Sequence, residues 1–241
     1  MPSMTPNLPM APRTRARAAG LFYLANIVTI FAAIFLFKGF AVPGDALATA
    51  SNIGTHLGRY RLAFASQVMS TATSIGLAAL LYGVFKPVDP GMSLMATLFR
   101  VLACALAAVG YVFQLAPLVV TVTPPAGLTP AETQAIVQML AGFQRHTRNV
   151  SIAFFGCQFI VLAYLIARSK FLPRLLSVLL GVAGVGGLLF TAAPVSPALL
   201  IYFAPVGLAG ELSLPLWLAA RGVDAGRWRE QARLAASIDV S

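Results

Sequence analysis

Acidic side chains are scarce in this chain: seven Asp and Glu stand among 241 residues, against seventeen Lys and Arg, and charged residues of both signs make up only 10%. Soluble globular domains carry about 25%. With 59% hydrophobic residues and a mean hydropathy of +0.83, the composition excludes an ordinary water-soluble fold and calls for a bilayer. Cysteine and histidine are scarcer still, with two of each. Cys104 and Cys157 both lie inside apolar runs, where a thiol packs as a small hydrophobe, so neither a disulfide nor a metal site is expected of them. The sequence also lacks a G-x-x-x-x-G-K-[ST] phosphate loop, an H-E-x-x-H pair, a G-x-S-x-G elbow and a C-x-x-C pair. ATP-driven, zincin and α/β-hydrolase readings lose their usual support. No cofactor and no catalytic residue is expected, and no nucleophile and base can be paired, which gives an enzyme little support.

What the chain has is apolar length. Six runs are long enough, or nearly so, to cross about 30 Å of hydrocarbon at 1.5 Å per residue: Ala18–Phe37, Leu62–Phe85, Leu94–Thr121, Val150–Ala167, Leu172–Ala193 and Ala198–Ala220. The expected fold is all-α, a polytopic six-transmembrane-helix bundle over residues 18–221. A disordered tail at 1–17, held out of helix by Pro2, Pro6, Pro9 and Pro12, and a short polar tail at 222–241 flank it. One set of helix ends holds Arg13, Arg15, Arg17, Lys86, Arg168, Lys170, Arg174, Arg221, Arg227, Arg229 and Arg233; the other holds only Lys38, Arg59, Arg61, Arg145 and Arg148. That bias places both termini in the cytoplasm, on a bacterial inner membrane. Ala46-Leu47-Ala48 looks like a signal-peptide cleavage site, but the apolar run before it exceeds the 7–15 residues of such a peptide, so an uncleaved first span is expected. The formal charge of +10 flanks apolar runs and forms no aromatic-interleaved patch, so no nucleic acid is expected. The partners expected are the lipid bilayer itself, with an anionic lipid or a small solute beyond it.

Two connections carry helix grammar. Pro43-Gly44-Asp45 offers a turn and an N-cap ahead of Leu47, Ala50, Ile53 and Leu57; Thr129-Pro130-Ala131-Glu132 combines a capping box with proline at the first helical position, ahead of Ile136, Met139, Leu140 and Phe143. Both predict amphipathic helices on the outer face, as a lid over the bundle or as interfacial anchors. His56 and His146 lie in these connections with Asp45 and Glu132, at spacings that fix no metal site. Arg59 and Arg61 precede span two, and Arg145 and Arg148 precede span four. If those starts adjoin, they form an outer basic cluster for phosphate or carboxylate groups; otherwise they snorkel separately to headgroups.

Arg17-Ala18-Ala19-Gly20-Leu21-Phe22-Tyr23-Leu24, Val42-Pro43-Gly44-Asp45-Ala46, Arg61-Leu62-Ala63-Phe64, Leu98-Phe99-Arg100-Val101, Arg168-Ser169-Lys170-Phe171-Leu172-Pro173 and Gly210-Glu211-Leu212-Ser213-Leu214 occur in this order along the chain. Together they resemble the bacterial six-span membrane family called domain of unknown function 4386, from about Arg17 to Val223. The resemblance implies a six-helix membrane fold and brings no substrate or site residues with it.

Inside the spans, Glu211 and Arg100 are the polar candidates, since a charge at mid-bilayer costs about 2.5–3.5 kcal/mol on insertion scales. Their depths invite a salt bridge. Helical side chains lean toward the N-terminus, however, so Arg100 leans to the cytoplasm and Glu211 away from it, which argues against the pair. Asn26, Thr73 and Ser74 fall near the level of Glu211 as hydrogen-bonding neighbours. Gly181-Val182-Ala183-Gly184-Val185-Gly186-Gly187 reads as close helix packing. Two functions follow: a small-solute or ion transporter or channel with Glu211 on its path, supported by Pro117, Pro205 and Pro215 in the helices, or a non-catalytic module that binds lipid or a partner protein while Glu211 and Arg100 lock the helices.

Overall fold

A computed structural model of the protein describes residues 11–42, 45–122, 127–192 and 197–238. Among these, nine helices follow in chain order: α1 (Pro12–Phe37), α2 (Ala46–Thr55), α3 (Leu57–Phe85), α4 (Pro90–Gln114), α5 (Ala116–Val122), α6 (Pro130–Arg168), α7 (Arg174–Ala192), α8 (Pro197–Ala220) and α9 (Ala225–Ile238). Five stretches, α1, α3, α4 continued to Val119, α6 and α7, are long and apolar enough to cross a membrane, and α8 is apolar over Gly207–Ala220. The protein is an all-α polytopic membrane protein.

Local chemistry sets the helix ends. Pro12 sits in the first turn of α1, where its missing N–H costs nothing, so the helix begins six residues before the apolar run. The turn at Pro43-Gly44 lies outside the described residues, but Asp45 caps α2 as expected, accepting from the Ala48 N–H at 2.8 Å. The third apolar run is interrupted at Leu115, just before Pro117, whose ring has no N–H to give and crowds the preceding turn. The second outer helix and the fourth span are one continuous helix, α6, of 39 residues, because no glycine or proline lies between Phe143 and Val150 to stop it. Its capping box is complete, with Thr129 Oγ1 accepting from the Glu132 N–H and Glu132 Oε2 accepting from the Thr129 N–H at 2.8 Å. The 222–241 tail is helical over most of its length. Asp224 accepts from the Gly226 and Arg227 N–H groups, and Trp228 Nε1 donates to the Val84 carbonyl, docking α9 on the end of α3.

The long helices form a closed ring of sequence neighbours, α1 on α3, α3 on α4, α4 on α6, α6 on α7 and α7 on α8, with α8 returning to α1. Large apolar side chains cover its outside, among them Val28, Phe35, Leu98, Val112 and Leu175, each more than half exposed. That is the surface lipid requires. The glycine-rich stretch of α7 packs as expected: a Cβ on Gly184 would stand 2.8 Å from the Gly156 carbonyl oxygen of α6. The basic residues gather at the end of the ring where α1, α4 and α7 start and α3, α6 and α8 finish; this is the basic end below.

Candidate functional site

The centre of the ring is polar. On α4 the inward positions Ser93, Ala96, Arg100, Ala103 and Cys104 recur at helical spacing, and the small ones leave room for the one long side chain. Arg100 is 2% exposed. It does not snorkel to the headgroups as its lean suggested, because nearer partners hold it inside. Its Nε donates to Ser74 Oγ at 2.9 Å and to the Ser74 carbonyl at 3.2 Å on α3, and its Nη1 donates to Gln158 Oε1 at 3.2 Å on α6. The guanidinium also lies 5.0 Å from the ring centroid of Tyr23 on α1 and 5.6 Å from that of Phe155 on α6. Stacking on aromatic faces suits a desolvated guanidinium better than a lysine ammonium.

Counted from the basic end, Tyr23, Ser74, Arg100, Gln158 and Glu211 all lie about 14–17 Å deep, so one layer collects them. Glu211, half-buried on α8, interacts electrostatically with both Arg100 and Tyr23. The two charges nevertheless form no salt bridge, and the one ion pair among the described residues joins Arg227 to Asp224 at 3.7 Å. Among the described residues no hydrogen bond or salt bridge reaches the Glu211 carboxylate, and the hydrogen bonds of Arg100 use its Nε and Nη1. The hydroxyl of fully buried Tyr23 makes no hydrogen bond of good geometry, and the Arg100 guanidinium is its polar neighbour. The layer thus holds two opposite charges that do not pair and a buried hydroxyl that is not well bonded.

The neighbours expected for Glu211 are engaged elsewhere. Asn26 donates to the Ser70 carbonyl at 2.6 Å and to Ser70 Oγ at 2.9 Å, one layer farther from the basic end; Thr73 donates back to Met69 and Ser70 carbonyls of its own helix; Ser74 holds Arg100. At the opposite end, Arg59 donates to the Lys38 carbonyl at 2.7 Å and lies 5.2 Å from the Phe40 centroid, which closes the end of α1. Arg59 and Arg61 stand on α3 and Arg145 and Arg148 on α6, two helices that are not neighbours in the ring. No group of three or more metal-ligating side chains gathers among the described residues.

Tyr23, Phe155 and Gln158 were not singled out from the sequence. Gln158 carried a readable signal, an amide alone in an apolar run at the depth of Arg100. Tyr23 carried another, since a phenol usually sits in the interfacial belt and this one is at mid-depth.

A narrow crevice too tight for a water molecule runs between α3, α4 and α6 and ends on Gln158. A second, open hollow lies along α9 between Gly226 and Leu234. No curated protein and no solved structure matches the chain. The family model described as "Domain of unknown function (DUF4386)" matches residues 18–222, a stretch that holds every member of the central layer. The chain belongs to this family.

Proposed function

We propose that the protein is a carrier of a small solute, with six spans, both termini in the cytoplasm of a bacterial inner membrane, and the Arg100–Glu211 layer as its solute site in a closed state. The observation that carries this reading is a layer at the ring's centre whose two opposite charges, Arg100 and Glu211, do not close on each other among the described residues. A buried polar group without a partner costs about 1–3 kcal/mol, and native proteins keep few of them. A layer built only to lock helices closes its own hydrogen bonds; among the described residues this one leaves Arg100 and Glu211 without a salt bridge and the buried Tyr23 hydroxyl without a hydrogen bond of good geometry. The excess of Lys and Arg at one end supports the orientation. Pro205 and Pro215 inside α8, on either side of Glu211, support a helix able to bend there.

The test is uptake by proteoliposomes of a panel of small organic acids, amino acids and alkali cations. At least one is carried by the native protein, and Glu211→Gln reduces it to the level of empty liposomes. A native protein that carries none of them, or equal flux in Glu211→Gln, contradicts the reading.

One observation favours the alternative, a non-catalytic module that binds lipid or a partner protein: Arg100 alone contacts α1, α3 and α6, as a structural tie would. Under that reading Glu211→Gln lowers stability and leaves no flux to lose.

A further inference from the structure

The crevice between α3, α4 and α6 runs from near the basic end toward the buried Arg100. Its polar lining is Tyr82, Ser93, Thr97 and Gln158, with Ala78 and Ala96 among the residues between them. Tyr82 lies one turn before the end of α3 and Ser93 one turn after the start of α4, so the cleft opens about 5 Å inside the basic end. At its mouth the Lys86 ammonium stands 6.0 Å from the Tyr82 ring centroid. Its inner end is Gln158, whose Oε1 accepts from Arg100. Beyond that point stands the buried Arg100 guanidinium, whose hydrogen-bond acceptors among the described residues are the neutral oxygens of Ser74 and Gln158. A buried guanidinium held by neutral acceptors suits a ligand that brings negative charge. A cation entering this way would meet Lys86 and then Arg100.

We propose that this seam is the entry route by which a small anion reaches Arg100 from the basic end, with the Gln158 side chain as the barrier it displaces. The proposal rests on the carrier reading and adds to it the class of solute and the side from which it enters. Displacing Gln158 exchanges its bond to Arg100 for one from the anion, which forks onto the guanidinium more strongly than a neutral amide does. Thr97 holds its hydroxyl on the Ser93 carbonyl of its own helix at 2.9 Å, whereas Ser93 donates to the Tyr82 carbonyl at 3.1 Å across the α3–α4 seam, a bond that passage must break.

Thiol labelling reads the route without flux. In a protein carrying Cys104→Ala and Cys157→Ala, Thr97→Cys is exposed to an anionic or a cationic methanethiosulfonate reagent from either face of membrane vesicles. Ser93→Cys is the second position should Thr97→Cys fail to fold, and Leu98→Cys, 58% exposed on the outside of the ring, gives the lipid-facing baseline. Modification is expected from the basic end only, with the anionic reagent about tenfold faster than the cationic one once each rate is divided by that on a free thiol. Lys86→Gln, at an exposed position, lowers that preference. Modification from the opposite end, failure of both cysteines to react, or a preference for the anion that Lys86→Gln leaves unchanged overturns the proposal. A protein that labels as expected but carries no solute keeps the route and loses the carrier; a carrier whose seam stays unlabelled loses the route alone.

Discussion

Two sides of the helix ring hold together by different means. Between α1, α3, α4 and α6 the joints are side-chain hydrogen bonds: Asn26 on Ser70, Arg100 on Ser74 and Gln158, Tyr60 on the Gln114 carbonyl, Ser151 on the Ala103 carbonyl. Between α6, α7, α8 and α1 the closest joints are bare backbone, with Gly156 against Gly184, Gly210 against the Leu179 carbonyl and Gly20 against the backbone of Ala219. Among the described residues, Ser177 on Ala163 and Arg17 on Ala220 are the side-chain hydrogen bonds that cross this second side. A hydrogen-bonded seam can trade a protein partner for water or a ligand. A glycine seam has nothing to trade, and parting it forfeits dispersion contacts that lipid does not return with the same fit. Under the carrier reading, the side that holds the crevice is the one that opens.

Breaking the hydrogen-bonded side at its centre has the largest expected effect. Arg100→Ala leaves Ser74 and Gln158 without their donor and a void between Tyr23 and Phe155, and lowers stability in detergent by about 2–5 kcal/mol, read as a shift of the thermal midpoint. The glycine side responds to bulk instead. Gly210→Val drives a side chain into the Leu179 carbonyl and costs about 1–3 kcal/mol in the same assay, whereas adding a methyl at Gly207, where nothing lies within 4 Å, does not. Tyr23→Phe removes a buried hydroxyl that makes no hydrogen bond of good geometry and lies beside the Arg100 guanidinium, so the variant stays within about 1 kcal/mol of the parent; a larger loss would show that the hydroxyl holds Arg100.

Far from the ring's centre, Glu132 at the outer tip of α6 titrates below the usual carboxylate range, because its charged form accepts first from the Thr129 N–H and then from the Thr129 hydroxyl. A carboxylate with a depressed folded value stabilises above its unfolded value and loses that contribution as pH falls through the folded one. Hydrogen exchange corrected for intrinsic rate should show the first turn of α6 fraying below the ordinary carboxylate range, and Glu132→Gln should abolish the pH dependence.

Much of the fold was legible because it follows from one-dimensional chemistry. Apolar length marked the long helices, Asp45 and Thr129 marked two starts through their caps, and the glycines of α7 marked close packing. The misses have physical causes as well. Nothing in the residues between Phe143 and Val150 favours a break, so α6 runs through what hydropathy divides in two. The last helix depends on Trp228 reaching the Val84 carbonyl, a contact 144 residues away in sequence. In the layer at the ring's centre, Arg100 and Glu211 were visible as charges in apolar runs, and depth alone placed them on one level. Their orientation was not, since the lean of a helical side chain is a weak preference beside the bonds that Ser74 and Gln158 offer to a guanidinium.

The central claim is that the middle of the ring is left open for a ligand and is not closed as a lock. The most direct measurement is the thermal midpoint of Glu211→Gln in detergent, beside that of the parent protein. Because the carboxylate makes no hydrogen bond or salt bridge among the described residues, the midpoint is expected to stay within about 2 °C of the parent, the shift that less than about 1 kcal/mol produces in a chain of this size. A fall approaching that of Arg100→Ala would mean that Glu211 holds the helices together, and would contradict the account.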